Sequence, residues 1–128
     1  MDNRPPLLLD SSFLIALERE TRTRRAGPAV ALLPRLQGRK LCLSVVSVEE
    51  FLEGAAEPNA AARALARFTV HPIGWAHARR CALLQSRSAQ RLGENDAWIL
   101  ATAETLGAEI VGRDRPAFTR LGARYLTF

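Results

Sequence analysis

The sequence predicts an α/β fold in which one parallel sheet is covered by helices on both faces. Two observations support this fold class. Short apolar runs typical of buried strands alternate along the chain with longer segments of helical periodicity. Glycine and proline residues separate these segments, and no repeat or linker divides the chain. Because strands that alternate with helices form parallel sheets, we expect a single α/β domain over residues 1–128, long enough to bury a core.

The first half of the chain begins with a strand at residues 7–10, in which three leucines precede Asp10. Ser11 or Ser12 is expected to cap the following helix, because a hydroxyl at that position accepts a hydrogen bond from an unpaired backbone amide. The polar residues 18–25 are expected to form an exposed turn or flap. The other elements predicted here are a helix at 28–36 that Pro34 ends or kinks, a strand at 41–46, a helix that starts at 47–50 and breaks at Gly54 and Pro58, and an alanine-rich helix to about residue 67.

The second half continues the alternation of strands and helices. A third strand is predicted at residues 68–73, and an amphipathic helix at 75–92 is expected to end at Gly93. Asn95 is expected to cap a helix at 96–106, which Gly107 closes. The last predicted elements are a strand at 109–112, a short helix at 116–121 and a fifth strand at 124–128.

The net charge of +5 favours a polyanionic partner. Only one of the 18 basic residues is lysine, however, and a GC-rich coding sequence would produce the same arginine bias without a functional cause. Both explanations remain open at this point. Arg80, Arg87 and Arg91 fall on one face of the predicted helix at 75–92, where they form either a solvated surface or a strip that follows phosphates.

Several features indicate the compartment. No apolar run is long enough to span a bilayer, and the first residues do not resemble a signal peptide. Cys42 and Cys81 lie far apart in the sequence and are expected to be buried, reduced thiols. We therefore expect a cytoplasmic protein with no membrane partner.

Four acidic residues stand at the ends of predicted elements: Asp10, Glu50, Asp96 and Asp114. Asp10 and Asp114 follow apolar strands, whereas Glu50 and Asp96 fall in the opening turns of helices. The carboxyl ends of parallel strands meet at one edge of a sheet, which is where α/β proteins bind ligands. Taken singly, each acid has a simpler explanation as a helix cap or turn residue. Together they would repel one another without a cation, so they predict a divalent metal site.

The segments around these acids resemble the PIN domain family and, within it, the VapC-type toxin nucleases of toxin–antitoxin pairs. The resemblance is carried by Asp10-Ser11-Ser12, by Glu50 four residues before Gly54, by the helix that opens with Asn95-Asp96, and by Asp114 after the fourth strand. It runs from Leu7 to about Phe118. It implies a five-stranded parallel sheet in a three-layer α/β/α sandwich, and an endoribonuclease that depends on Mg²⁺ or Mn²⁺. It also implies a homodimer that a cognate antitoxin keeps silent.

Residue by residue, Asp10, Glu50 and Asp96 match the three acids most characteristic of the family, and Asp114 matches a fourth, more variable one. The sequence departs from the family pattern near this last acid. Gly112 stands where the family often has threonine, and Pro116 stands where it often has a second acid. Loss of the threonine is expected to weaken the ordering of the metal's surroundings. Asp114 is therefore interpreted as a supporting ligand, with a turn residue as the alternative.

Hard cations such as Mg²⁺ prefer carboxylate oxygens, and a bound ion activates water and neutralises charge at a phosphate. The expected reaction is hydrolysis of an RNA phosphodiester that leaves a 5′-phosphate, with either one or two ions. Asp10 and Asp96 would be the central ligands, Glu50 a ligand or the holder of a metal-bound water, and Asp114 a supporting ligand. Ser12 would cap the helix, hydrogen-bond a carboxylate or metal-bound water, or do both.

The remaining chemistry-bearing residues have plainer explanations. His71 and His77 lack metal-ligand spacing and are expected to be structural or on the surface. Trp75 and Trp98 are expected to pack in the core. The sequence lacks the acid pair and lysine of a response-regulator receiver and the paired aspartates of a dehalogenase-type phosphatase. The alternative that remains open is a non-catalytic PIN-like module that binds RNA or protein, a reading favoured only by Gly112 and Pro116.

Overall fold

The computed structural model describes residues 3–113, 118 and 124–128. Five strands lie in this part of the chain: β1 (Leu7–Leu9), β2 (Leu41–Ser44), β3 (Thr69–His71), β4 (Glu109–Gly112) and β5 (Tyr125–Thr127). They form one sheet in the order β3-β2-β1-β4-β5, and every neighbouring pair is parallel. The predicted parallel sheet is therefore confirmed.

Helices connect these strands: α1 (Ser11–Thr23), α2 (Pro28–Leu36), α3 (Val45–Glu53), α4 (Pro58–Leu65), α5 (Trp75–Arg87) and α6 (Glu94–Leu106). No helix in the described ranges is long and apolar enough to cross a bilayer. The α/β class with five parallel strands and helical connections is as expected.

Alternation along β1 divides the interior into two hydrophobic cores. Leu7 and Leu9 point to one face, where they join residues of α1 to α4. Leu8 points to the other face, where it packs with residues of α5 and α6. Each core has helices on its outer side, so the chain forms the three-layer sandwich that the family resemblance implies.

The strand order creates a switch point at the middle of the sheet. From β1 the chain moves outward to β2 and β3 on one side, then returns to form β4 and β5 on the other. The carboxyl ends of β1 and β4 therefore lie side by side where the strand order reverses, a position where α/β sheets form a crevice and bind ligands. Asp10 follows β1, and Arg113 follows β4, so the fold places both residues at this crevice.

The predicted strands are confirmed to within two residues, but several helix boundaries were wrong. Residues 18–25 do not form a turn or flap, since α1 continues to Thr23. Arg22 pairs with Glu18 one turn earlier, and the Thr23 hydroxyl donates to the Arg19 carbonyl, so this polar segment stabilises its own helix. The left-handed conformation of Arg24, with φ of 56°, ends it.

The next two corrections concern helix starts. The residue that caps α3 is Ser44, whose hydroxyl accepts from the Val46 amide, so this helix begins before the predicted start at Ser47. Gly93 precedes α6 directly, and Asn95 lies inside its first turn rather than at its cap. Asn95 instead donates to Glu50, whereas the buried Ser47 hydroxyl has no hydrogen-bond partner among the described residues.

Further corrections concern helix ends and burial. The α5 helix ends at Arg87 instead of continuing to residue 92. Pro34 lies within α2 without ending it. Trp75 is 80% exposed and is not a core residue, whereas Trp98 packs partly against the second core as predicted. The predicted helix at 116–121 lies outside the described residues except for Phe118, which is fully buried.

Candidate active site

Asp10 occupies the turn between β1 and α1 and is almost fully buried, at 1% exposure. Its extended backbone makes it the N-cap of α1, and its carboxylate accepts a 3.4 Å hydrogen bond from the Ser12 amide. The cap is therefore Asp10 itself rather than Ser11 or Ser12. A carboxylate at this position interacts favourably with the positive end of the helix dipole.

Ser12 orders this carboxylate. Its hydroxyl donates a 2.6 Å hydrogen bond to Asp10 Oδ2 and accepts one of 3.1 Å from the backbone amide of Arg113. The serine thus joins the end of β1 to the end of β4. The expectation that Ser12 hydrogen-bonds a carboxylate is confirmed, and the expected alternative role as a cap is not.

Gly112, which stands where the family often has threonine, lies close to Asp10 and Ser12. A β-carbon at this position would lie 3.0 Å from Asp10 Cβ and 3.2 Å from both Asp10 Oδ2 and the Ser12 hydroxyl. The backbone of β4 therefore approaches Asp10 so closely that a side chain here would force its neighbours to shift by a few tenths of an ångström, a common reason for glycine. Here Ser12 supplies a hydroxyl to the buried carboxylate. The expected weakening of order around the metal, which concerned Asp114, stays a prediction.

Glu50 lies in the second turn of α3, and both of its carboxylate oxygens are engaged. The Ser11 hydroxyl donates to Oε1 at 3.1 Å, and the Asn95 side-chain amide donates to Oε2 at 3.1 Å. Glu50 therefore connects the start of α1 to the start of α6. Sequence reasoning missed both partners, although each is a polar residue next to a predicted acid, at Asp10 and Asp96.

The neighbouring acids on α3 are placed differently. Glu49 and Glu53 are exposed. The pKa of Glu49 is raised by a hydrogen bond that its protonated form makes to Glu53, by repulsion from that same carboxylate and, to a smaller extent, by partial desolvation and the charge of Glu50. These three carboxylates give this wall of α3 a concentrated negative charge. The choice of Glu50 over Glu49 agrees with the contacts, because Glu50 is the one held against two other helices.

Asp96 lies in the first turn of α6 and is partly buried. A β-carbon on Gly93, the cap residue, would lie 3.7 Å from Asp96 Oδ2, which places the carboxylate close to the positive end of its own helix. The hydrogen bond between Asn95 and Glu50 brings this turn of α6 against α3. Asp10, Glu50 and Asp96 thus lie on three helix starts or opening turns that meet at the carboxyl edge of the sheet.

Within residues 3–113, 118 and 124–128, no three acidic, histidine or cysteine side chains form a cluster able to hold a metal ion by themselves. Asp114, the fourth predicted acid, lies outside the described residues, as does Pro116. The two histidines lie away from β1 and β4: His77 accepts from the Gly74 amide at the start of α5, and His71 is the last residue of the outer strand β3. Cys42 and Cys81 are buried free thiols whose pKa values are raised by desolvation.

A cleft of about 490 Å³ opens beside Glu50 and Glu53. It lies between the first turns of α1, the middle of α3 and the end of β4. The residues that line it are Ser11, Ser12, Ile15, Ala16, Arg19, Glu50, Glu53 and Arg113. Carboxylates and guanidinium groups therefore share one opening.

The predicted arginine strip does not exist as one helix face. Arg91 lies beyond the end of α5, so it cannot share a helical face with Arg80 and Arg87. Arg80 also pairs with Glu104 at 3.2 Å, and Arg91 pairs with Glu94 at 3.1 Å. RNA binding by these arginines stays a prediction, but a shared helix face no longer supports it.

The sheet order, the two covered faces and the acidic edge define an α/β protein of the PIN class. The sequence profile of the PIN domain family matches residues 7–123, which is most of the chain. The chain belongs to the PIN domain family. Among curated proteins, none matches the sequence.

Solved structures with the same fold agree with this assignment. A toxin–antitoxin complex from Klebsiella pneumoniae is 22% identical, with a TM-score of 0.77 over 94% of this chain and 96% of that one. VapBC2 from Rickettsia felis, bound to a promoter DNA fragment, is 13% identical, with a TM-score of 0.75 over 95% and 98%. The sarcin–ricin-loop-cleaving toxin VapC20 of Mycobacterium tuberculosis is 20% identical, with a TM-score of 0.71 over 91% and 95%. At these identities the likeness establishes the fold.

Proposed function

We propose that this protein is a metal-dependent endoribonuclease and the toxin of a toxin–antitoxin pair. The observation that carries the proposal is the ordering of two acids, Asp10 by Ser12 and Glu50 by Ser11 and Asn95, at the crevice of a PIN domain. Carboxylates fixed by hydrogen bonds at a ligand-binding edge are what a preorganised cation site requires. The toxin assignment is further supported by the names of the structures with this fold, among them a toxin–antitoxin complex and an RNA-loop-cleaving toxin.

The donor set fits a hard divalent ion. Every candidate ligand is a carboxylate, which suits Mg²⁺ or Mn²⁺ and not a soft metal. Mg²⁺ is usually held by only one or two carboxylates, with water and substrate phosphate completing its shell, so the lack of a three-acid cluster in the described part of the chain is compatible with it. Asp10 and Asp96 are the proposed central ligands, Glu50 is a ligand or holds a bound water, and Asp114 is a supporting ligand.

When bound, such an ion supplies Lewis-acid activation of water and neutralises charge on the phosphate, and the proposed product carries a 5′-phosphate. The contribution of the chain itself is orientation. Ser12 fixes the rotamer of Asp10, and the pair of donors on Glu50 prevents that side chain from turning away from the crevice. Neither acid then needs to reorganise when RNA arrives.

An apolar groove next to the active-site cleft suits the antitoxin. It has a volume of about 660 Å³ and runs between α1, α3 and α4, with Ile15, Phe51, Ala60, Ala61 and Ala64 among its lining residues. Ile15 also lines the active-site cleft, so the two are continuous. An antitoxin segment in this groove would be positioned to place a basic side chain beside Glu50 and Glu53, which would neutralise the site. A homodimer and a cytoplasmic location are part of the same proposal.

The test is cleavage of total cellular RNA by the purified, partner-free chain in Mg²⁺, Mn²⁺ or EDTA. We expect discrete products with 5′-phosphates that require the metal and are absent with Asp10→Asn. Glu49→Gln is the matched control, since it removes an exposed acid from the same helix and should cleave like wild type. Full activity of Asp10→Asn would contradict the site, whereas no cleavage by folded protein that also fails to bind Mn²⁺ would favour the non-catalytic binding module.

A further inference from the structure

Two arginines share the cleft with Glu50, one of the proposed catalytic acids. Arg19 and Arg113 both line it, together with Ser11, Ser12 and Glu50. A phosphodiester that approaches the carboxylates is repelled until positive charge compensates, and a bound cation supplies only part of this compensation. Guanidinium groups on the same wall would supply the rest and would also orient the phosphate by forked hydrogen bonds.

Arg113 is held in place from two sides. Its backbone amide donates to the Ser12 hydroxyl, which itself donates to Asp10, so the residue is anchored beside the buried acid. Its guanidinium lies 5.3 Å from the centre of the Phe128 ring. That ring packs edge-on against Phe13, a buried residue of α1, with 5.3 Å between the two ring centres. The cation–π contact therefore rests on the hydrophobic core, which limits the movement of the side chain.

Arg19 lies further from the acids, on the same side of α1. Ser12, Ile15, Ala16 and Arg19 all line the cleft, and their spacing of three, four and seven residues puts them on one helical face. The seven-residue separation from Ser12 corresponds to roughly 10 Å along the helix axis. Arg113 thus stands at the acids, and Arg19 stands about 10 Å along the wall that leads away from them.

These two arginines differ from several others in the protein. Arg22, Arg80 and Arg91 each pair with a glutamate. In residues 3–113, 118 and 124–128, neither Arg19 nor Arg113 forms a salt bridge. Their charges are therefore not neutralised by a described carboxylate, despite the proximity of Glu50 and Glu53 in the same cleft.

We propose that the cleft binds the backbone of the RNA substrate through these arginines. Arg113 contacts the phosphate at the position of cleavage, and Arg19 contacts a phosphate further along the strand. This inference rests on the proposed ribonuclease function, for which it names two residues that position the substrate. The sequence indicated Arg80, Arg87 and Arg91 as candidates for binding a polyanion. The proposal assigns this binding to the cleft instead.

Binding is measured by fluorescence anisotropy, separately from cleavage. The probe is a fluorescein-labelled single-stranded RNA of mixed sequence, 12 nucleotides long by design, in buffer with Ca²⁺ in place of Mg²⁺, and its integrity is verified on a gel afterwards. Arg113→Ala and Arg19→Ala are each expected to weaken binding by about tenfold, as for loss of a charge-assisted contact. Each should also make the plot of the logarithm of the association constant against the logarithm of salt concentration less steep by about 0.7. This is the value for one phosphate contact on a single strand.

Two further variants separate positioning from charge. Phe128→Leu removes the ring beneath Arg113 but keeps the guanidinium, so binding should weaken by less than in Arg113→Ala and the salt slope should stay near that of wild type. The matched control is Arg67→Ala, because Arg67 lies 4.8 Å from the centre of the Phe68 ring in an equivalent contact outside the cleft. It loses one charge of the same kind and should bind RNA like wild type. Circular dichroism melts confirm that every variant is folded.

The outcomes distinguish this inference from the proposed function. Suppose that wild type cleaves RNA, but folded Arg19→Ala and Arg113→Ala bind RNA with the affinity and salt dependence of wild type. The inference is then overturned, and the ribonuclease assignment stands. Equal weakening by Arg67→Ala would also overturn it, since net charge alone would then explain binding. If both cleft variants lose affinity and slope but wild type shows no metal-dependent cleavage, the cleft is an RNA-binding site of a non-catalytic module.

Discussion

At the scale of single residues, the site depends on short polar side chains next to the acids. Ser12 joins Asp10 to the backbone that follows β4, and Ser11 and Asn95 hold the two oxygens of Glu50. Sequence reasoning found the acids because they stand at element ends. It did not find Ser11 or Asn95 as partners of Glu50, because those contacts join residues 39 and 45 positions apart and depend on how three helices meet.

Ser12→Ala should weaken Mn²⁺ binding by roughly 10- to 100-fold, the usual effect of removing a residue that orders a metal ligand. The variant leaves Asp10 without the 2.6 Å hydrogen bond that sets its orientation. Isothermal titration with Mn²⁺ measures this effect. Ser86→Ala is the control, because that exposed hydroxyl contacts only its own helix, at the Leu83 carbonyl. Unchanged affinity in Ser12→Ala would show that Asp10 does not need this bond.

Gly112→Ala should lower the free energy of unfolding by about 1–3 kcal/mol, as expected for an overpacked site. The new methyl group would meet Asp10 Cβ at 3.0 Å, and the pairing of β1 with β4 leaves little freedom to separate them. Urea denaturation gives the change in stability. Gly54→Ala serves as the control, because a β-carbon there would meet no atom closer than 4.0 Å. A Gly112→Ala protein as stable as wild type would mean that the strands separate easily.

At the scale of elements, the junction between α1 and α2 is held by one side chain. Glu20 accepts hydrogen bonds from the amides of Gly27, Ala29 and Val30 at 2.6, 3.0 and 2.9 Å. Desolvation alone would raise the pKa of Glu20, but the three amide donors outweigh it and lower the pKa below its ordinary value of 4.5. The first two helices are thus fixed to each other by a carboxylate at the amino terminus of α2.

The stabilising effect of Glu20 should depend on pH. Because folding lowers its pKa, the contribution is fully present above about pH 4.5 and is lost as the pH falls through the lower folded value. Glu20→Gln should therefore melt at a lower temperature than wild type at pH 7, with a smaller difference at pH 3. Thermal melts at both pH values test this, with Glu57→Gln as the control, because Glu57 is exposed and its side chain makes no capping hydrogen bond. A difference that does not shrink at pH 3 would contradict the role of the charge.

The elements also show what local sequence can predict. The strands β1, β2 and β4 were found because their apolar runs are buried in the sheet. The end of α6 was found because Gly107 adopts a left-handed conformation with φ of 64°. Helix starts were misplaced where several cap-forming residues occur together, as at Ser44 and Ser47. The continuation of α1 to Thr23 depends on pairs one turn apart in a segment whose composition is typical of a loop.

At the scale of the whole molecule, the strand order determines where the site forms. The switch between β1 and β4 opens the crevice, and the helices on both faces bring Glu50 and the first turn of α6 to its edge. The family resemblance predicted this architecture, and the PIN profile over residues 7–123 confirms the family. The cleft with Arg19 and Arg113 was not predicted, because the Ser12–Arg113 contact joins residues 101 positions apart.

The central claim is that the acids at this edge bind a divalent cation, and titration of the purified chain with Mn²⁺ by calorimetry tests it most directly. We expect saturable binding by wild type and by Glu49→Gln, and affinity at least about tenfold weaker in Asp10→Asn and Asp96→Asn. No binding by the folded wild-type chain, or equal binding by wild type and Asp10→Asn, would contradict the account.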